Sequence, residues 1–221
     1  MSRGARPAAG GGRWVEVEPA RLPRWLDGFA ERHGPVAADG LRLTAGDGAT
    51  AELHPPPAVQ ASTVDDLTAA EAPRLGLLLA RQAAVAVGVA DGPRLTVSKV
   101  DSSYVQSRTA AGGWSQQRFA RRRVNQAKAA AGSAVDIVLR LLVPEAGRLA
   151  AVVTGGDRRT VETILSDPRL APIAALRAER FLDVGEPRLA ALEQALVRAR
   201  SVVILVREPS SPGGKARDAH G

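Results

Sequence analysis

The run Gly112-Gly113-Trp114-Ser115-Gln116-Gln117 sets two glycines, one aromatic ring and two amides side by side. Paired glycines let backbone N–H groups approach a ligand closely and reach dihedrals that other residues avoid. Trp114 stands out in a chain that is only 3% aromatic, and an exposed indole is a stacking platform for a nucleobase. Basic residues follow at once. From Ser102 to Val135 there are six, Arg108, Arg118, Arg121, Arg122, Arg123 and Lys128, and no acid. On a helix Arg118, Arg121, Arg122, Asn125 and Lys128 fall three and four apart, on one stripe. Such a stripe is the electrostatic footprint of a phosphate-backbone partner. Taken singly, each feature has a plainer reading: a Gly-Gly loop is a weak motif, and a basic stripe also describes a solvated helix face.

Charge elsewhere is less informative. The chain has 221 residues with 30 Lys+Arg against 23 Asp+Glu, a formal net charge of +7. Arginine supplies nearly all of the base, only Lys99, Lys128 and Lys215 being lysines, so scattered arginine marks composition more than binding. The 102–135 window is where base stands without acid. With no Cys, disulfides, a thiolate nucleophile and Cys-ligated metal are excluded. The composition carries no Walker-type or dinucleotide fingerprint, and no cofactor or metal is expected.

Elements that must position the loop can be read from periodicity. Residues 1–12 and 207–221 are Gly/Pro/Ser-rich and read as disordered tails. Residues 13–60 read as a small α+β unit. It has a strand at Trp14–Val17, a helix over Pro19–His33 ended by Gly34, and a hairpin around Gly46-Asp47-Gly48. The prolines 55–57 and the polar stretch to Asp66 read as a linker. Residues 75–206 read as the larger domain. Ala83–Val89, Arg94–Val100 and Ser103–Ser107 are expected as three antiparallel strands. A flexible loop over 108–116 precedes a long helix from about Gln117 to Leu142, whose core face is Phe119, Ala127, Ala130, Ala134, Ile137, Val138 and Leu141. Pro144 and Gly147 stop it. A strand at Leu149–Thr154, a helix capped by Asp157, a strand near Arg180–Val184, a helix over Glu186–Arg200 with Leu189, Leu192, Leu196 and Val197 inward, and a closing strand Val202–Val206 complete it. The fold class is therefore mixed α/β: a ribonuclease-H-like mixed sheet with flanking helices, plus the small N-terminal α+β unit. The expected first strand, AAVAVGV, carries no carboxylate, which argues against a metal-dependent nuclease. The start lacks the apolar core of a signal peptide, and the apolar stretch Leu75–Ala90 is interrupted and too short to span a bilayer. The expectation is a cytoplasmic protein, monomeric and not membrane-bound.

A strand, a Gly-Gly loop with Gln, and then a long basic helix resembles the central catalytic domain of the eukaryotic and archaeal class I translation release factors. The segment GGWSQQRFARRR, reading Gly-x-x-Gln from Gly113 instead of Gly-Gly-Gln, is similar to the Vms/ANKZF-type release-factor family of ribosome quality control, specifically its actinobacterial peptidyl-tRNA hydrolase branch. The resemblance covers about residues 75 to 206. It implies a peptidyl-tRNA hydrolase that frees nascent chains from stalled ribosomes or large subunits, with the large ribosomal subunit, rRNA and peptidyl-tRNA as partners. It assigns Gln116 as the functional glutamine, with Gln117 as runner-up. It further gives Gly112 and Gly113 the task of entering a narrow RNA cavity, and Arg108 and the Arg118–Lys128 stripe that of holding phosphates. An amide does not titrate near neutrality, so it cannot be a general base; it can orient a water toward the ester carbonyl. The departure from Gly-Gly-Gln leaves cleavage near the tRNA 3′ end as an alternative, and a non-catalytic ribosome- or rRNA-binding module as another. Ester hydrolysis is preferred because none of the three histidines, His33, His54 and His220, lies near the motif to serve RNA cleavage. Binding to an anionic membrane would need an apolar face beside the stripe, and that face is claimed by the core.

Overall fold

A computed structural model describes residues 6–81, 84–102 and 131–209. They form eleven strands: β1 (Arg6–Pro7), β2 (Arg13–Val17), β3 (Val36–Asp39), β4 (Arg42–Ala45), β5 (Thr50–His54), β6 (Leu75–Arg81), β7 (Ala84–Asp91), β8 (Arg94–Ser102), β9 (Ala151–Gly156), β10 (Arg177–Leu182) and β11 (Val202–Arg207). The α-helices are α1 (Leu22–His33), α2 (Val64–Ala69), α3 (131–141), α4 (Arg158–Leu165), α5 (Ala171–Ala175) and α6 (Leu189–Arg200). The chain divides into two compact units. The first takes the stretch up to Pro56, Gln60–Ala70 and the stretch from Ser201 onward; the second takes Pro57–Val59 and Glu71–Arg200.

The first unit is built on a six-stranded antiparallel sheet in the order β1-β2-β11-β5-β4-β3. Burial alternates along β2, β4 and β5, as a sheet with one face on a core requires. Helix α1 buries Leu22 and Phe29, with Trp25 stacked on Phe29 at 5.5 Å. The hairpin expected around Gly46-Asp47-Gly48 is β4–β5, with Leu43 opposite Ala51. Two expectations change. Residues 6 and 7, assigned to a tail, pair with Trp14 and Arg13. The strand expected at Val202–Val206 forms, but it lies in this sheet and not in the second one. It pairs Val202 with Val17 on one side and Ile204 with Leu53 on the other. A run such as VVILV shows that a strand is buried and says nothing about which neighbours bury it.

The second unit is a five-stranded mixed sheet in the order β10-β9-β6-β7-β8. Strands β6, β7 and β8 pair antiparallel, while β9 joins β6, and β10 joins β9, in parallel. This is the mixed sheet with flanking helices expected from the sequence, with its strands assigned differently. The expected first strand, around Ala83–Val89, is the second, β7. The first and central strand is Leu75–Arg81, LGLLLAR, which carries no carboxylate either. The third strand is 94–102; the strand expected at Ser103–Ser107 lies outside the described residues. The central strand is apolar throughout because it is covered on both faces. Leu75, Leu77 and Leu79 pack with Leu192, Ala195 and Leu196 of α6. Leu78 and Ala80 pack with Ala134, Ile137 and Val138 of α3 and with Val161 and Ile164 of α4.

Helix α3 confirms the described part of the expected core face, and it ends before Pro144, which lies in a 3-10 turn, Val143–Arg148. Asp157 caps α4, accepting from the Thr160 backbone N–H at 2.7 Å. In α6 Leu192 and Leu196 are buried, but Leu189 and Val197 are 49% and 44% exposed, against the expectation that both point inward. The helix begins at Leu189, so Leu189 sits on its first turn, and Val197 lies two turns on along the same outer line.

Candidate functional site

The residues singled out by sequence, Arg108, Gly112, Gly113, Trp114, Gln116, Gln117, Arg118, Arg121, Arg122, Arg123 and Lys128, all lie outside the described residues. The frame that carries their segment is described on both sides. Ser102 at the end of β8 pairs with Ala84 of β7, and Ala84 pairs with Arg81 at the end of β6. Next to it, Ala80 pairs with Gly156 of β9, and Gly155 with Leu182 of β10. Strands β6 and β8 both oppose β7, and β9 and β10 run with β6. Four of the five strands therefore end at the same edge, and residues 103–130 depart from that edge. Crevices outside the carboxyl ends of such strands are where open α/β sheets bind ligands.

The segment's two ends are fastened to each other. The Ser133 hydroxyl donates to Asp101 Oδ2 at 2.9 Å, which joins the end of β8 to the first described turn of α3. Both side chains are half-buried. A hydrogen bond to a carboxylate in such a place contributes about 1.5–3 kcal/mol. Burial of Ala134, Val135, Ile137 and Val138 just beyond it locks α3 on the sheet. The departure and return points of 103–130 are thus one place, set by a strand end, a helix turn and a polar link.

The same edge carries arginines. Arg81 closes β6, and its Nη1 donates to the Val184 carbonyl at 3.2 Å. Arg158 and Arg159 open α4, directly after Gly155-Gly156-Asp157. Arg158 lies over the Phe181 ring, 4.2 Å from its centroid. Asp157 sits among them with its carboxyl held below the usual carboxylate range, mainly by the Thr160 hydroxyl and N–H it accepts from, with Arg81 and Arg159 adding to the effect. The turn into α4 is sharp. Gly156 has φ +98°, and a Cβ there would lie 2.3 Å from the Ala80 carbonyl oxygen, so only glycine fits.

Away from this edge several arginines are matched by acids. Arg74 donates to Glu145 at 2.9 and 3.2 Å and to Asp91 at 3.3 Å, tying the opposite end of the sheet together. Arg177 pairs with Glu162 at 2.6 Å, and Arg188 pairs with Glu186. Arg169 holds Asp167 down to a pKa of about 2. In the first unit His33 Nδ1 meets Asp47 Oδ2 at 2.9 Å and Nε2 faces Glu208 at 3.8 Å, so both ring nitrogens are directed at carboxylates of their own unit. Among the described residues no cluster of three or more His, Cys, Asp or Glu side chains is placed to hold a metal ion, and no helix is long and apolar enough to cross a membrane. Sequence reasoning missed Asp101, Ser133, Arg81, Arg158 and Arg159. Only the doubled arginine after Gly-Gly-Asp was a local signal; the rest are brought together by strand order.

Residues 73–205 match the family model of the actinobacteria/chloroflexi VLRF1 release factor. Solved structures that resemble the chain include an archaeal translation termination factor, aRF1, at 19% identity and a TM-score of 0.45, over 57% of this chain and 34% of that one. Another, described as an archaeal protein, is 20% identical with a TM-score of 0.35, over 55% of this chain and 32% of that one. The matched stretch thus spans about a third of the length of these structures. No curated protein matches the chain.

Proposed function

The chain belongs to the family of actinobacteria/chloroflexi VLRF1 release factors, and from that premise we propose that it hydrolyses the ester of peptidyl-tRNA on stalled ribosomes or their large subunits. The observation that carries the reading is the extent of the family match. It runs from 73 to 205 and so brackets Gly112-Gly113-Trp114-Ser115-Gln116 together with the basic run that follows. Chemically, water adds to the ester carbonyl carbon, the bond to the ribose oxygen breaks, and that oxygen takes up a proton. Gln116 orients the water and its backbone N–H faces developing charge, a positioning contribution suited to a group that does not titrate. Gly112 and Gly113 allow close backbone approach to RNA, Trp114 stacks on a base, and Arg108, Arg118, Arg121, Arg122, Arg123 and Lys128 hold phosphates.

The test is release of labelled peptide from peptidyl-tRNA on large subunits. Gln116→Ala is expected to slow release by about 100-fold or more, the scale of losing one oriented donor, while co-sedimentation with the subunit persists. Equal release by wild type and variant would sink the assignment of Gln116. A tRNA product lacking its 3′ end would replace ester hydrolysis with RNA cleavage, and no turnover at all would leave a binding module.

A further inference from the structure

We propose that Arg81, Arg158 and Arg159 form a second phosphate-binding surface, a cationic collar at the carboxyl edge of the five-stranded sheet, which grips RNA backbone beside the departure point of residues 103–130. The inference rests on the ribosomal reading above and extends it to residues that neither the motif nor the family match assigns.

Three observations carry it. First, strand order gathers the residues. Arg81 shares a row with Ser102 through Ala84, and Ala80 pairs directly with Gly156, two residues before Arg158. Second, the guanidinium groups are presented outward and are not neutralised by ion pairs. All three residues are exposed. Arg81 uses one N–H on the Val184 carbonyl, leaving four of about five donors. Arg158 is stacked on Phe181, which fixes the plane of the group and leaves its in-plane donors unused. Arg159 makes no side-chain hydrogen bond or ion pair among the described residues. The carboxylate between them, Asp157, caps α4 through two 2.7 Å hydrogen bonds from Thr160 and offsets one of the three positive charges, leaving the cluster net positive. Third, the cluster adjoins the acid-free stretch: Arg74 and Arg148 at the opposite edge are paired with Glu145, whereas Arg81, Arg158 and Arg159 stand without ion pairs on the edge where β8 ends at Ser102, the first residue of the acid-free 102–135 window.

The partner chemistry is a polyanion with closely spaced charges. Three guanidinium groups gathered on one edge, that of Arg158 held in plane by Phe181, suit phosphate oxygens of a folded RNA, and the neighbouring segment is proposed for the same partner.

The test measures affinity of the full-length protein for purified large ribosomal subunits against salt, with peptide release followed in parallel. Each phosphate contact adds about 0.7–0.9 to the salt slope. Arg81→Ala/Arg158→Ala/Arg159→Ala should lower the slope by about 2–3. Between about 50 and 200 mM salt, wild type should then lose about 16- to 64-fold more affinity than the variant. The charge-matched control Arg94→Ala/Arg140→Ala/Arg148→Ala, at the other edge, should keep the wild-type slope. The triple Lys variant should keep most of it, and Arg159→Glu alone, which disturbs no side-chain hydrogen bond or ion pair among the described residues, should weaken binding if the alanine triple fails to fold. An unchanged slope in a folded alanine triple, or an equal drop in the control, overturns the collar while leaving the release reading intact. Binding to vesicles of anionic phospholipid that falls in the triple, with subunit binding untouched, overturns it in favour of a membrane. Wild type that neither binds subunits nor releases peptide overturns the release reading, and the collar with it.

Discussion

Removing the Ser133 hydroxyl isolates the link between the two ends of the segment proposed to act on peptidyl-tRNA. In Ser133→Ala the 2.9 Å hydrogen bond to Asp101 Oδ2 is lost, and a half-buried carboxylate must take water in its place. Two effects compete. Loosening the base lengthens the closed segment by a few residues, and since closure entropy grows only with the logarithm of length, even a wholly flexible chain of about thirty residues would lose under about 0.2 kcal/mol. The lost hydrogen bond is worth about 1.5–3 kcal/mol, the lower end applying where water enters. Geometry at the base, not chain entropy, is therefore what changes. If the link holds the segment in its productive orientation, single-turnover peptide release on large subunits should slow by about 10-fold, the equivalent of about 1.4 kcal/mol. Subunit affinity should hold, because no arginine or lysine is touched. Ser133→Thr, which keeps the hydroxyl, should restore most of the rate. Ser133→Ala with wild-type release and only a lower melting temperature would refute the positioning argument and leave a purely structural bond.

Gly156→Ala must place a side chain at φ +98° against a backbone oxygen, a cost of at least about 2 kcal/mol; a melting temperature within about 2 °C of wild type would contradict it. Asp157→Ala should lower thermal stability at pH 7. Its folded carboxyl titrates below the ordinary value of 3.8, so the wild-type advantage is present above that value and shrinks as pH falls through the folded pKa; a gap that stays constant down to pH 2 would count against the cap. Arg74→Ala breaks contacts to both Glu145 and Asp91 and should cost about 1–3 kcal/mol in urea unfolding, with less than half a kcal/mol showing the pairs to be idle. A fragment of residues 1–70 should remain unfolded by circular dichroism and gain strand signal when a peptide of residues 201–209 is added; folding without the peptide would deny β11 its role.

Much of the local structure is legible in the sequence, and much of the tertiary pairing is not. The β4–β5 hairpin follows from Gly46-Asp47-Gly48, the start of α4 from Asp157, and the described face of α3 from Ala134, Ile137 and Val138, because each signal acts within a few residues of its cause. LGLLLAR is different. A strand covered on both faces has no alternation to show, so Leu75–Arg81 reads as one apolar stretch with β7 and the sheet is counted from the wrong strand. The place of β11 is also beyond local reading, since its partners Val17 and Leu53 lie far away in the chain. The motif around Gln116 is legible as residue types. Its frame is not: Asp101, Ser133, Arg81 and Arg158 become neighbours only through strand order.

Strand β11 also sets an order of events in synthesis. It fills the gap between β2 and β5, yet residues 55–201, including all of the second unit, are translated before it. Until it arrives, β2 and β5 each present an unpaired edge, the kind that recruits foreign strands. The second unit can fold as it emerges, while the first waits for a segment made long after its own. A chain interrupted anywhere between His54 and Val202 would carry two open edges. A member of a release-factor family is thus one whose own truncated product carries the strand edges that invite aggregation or removal.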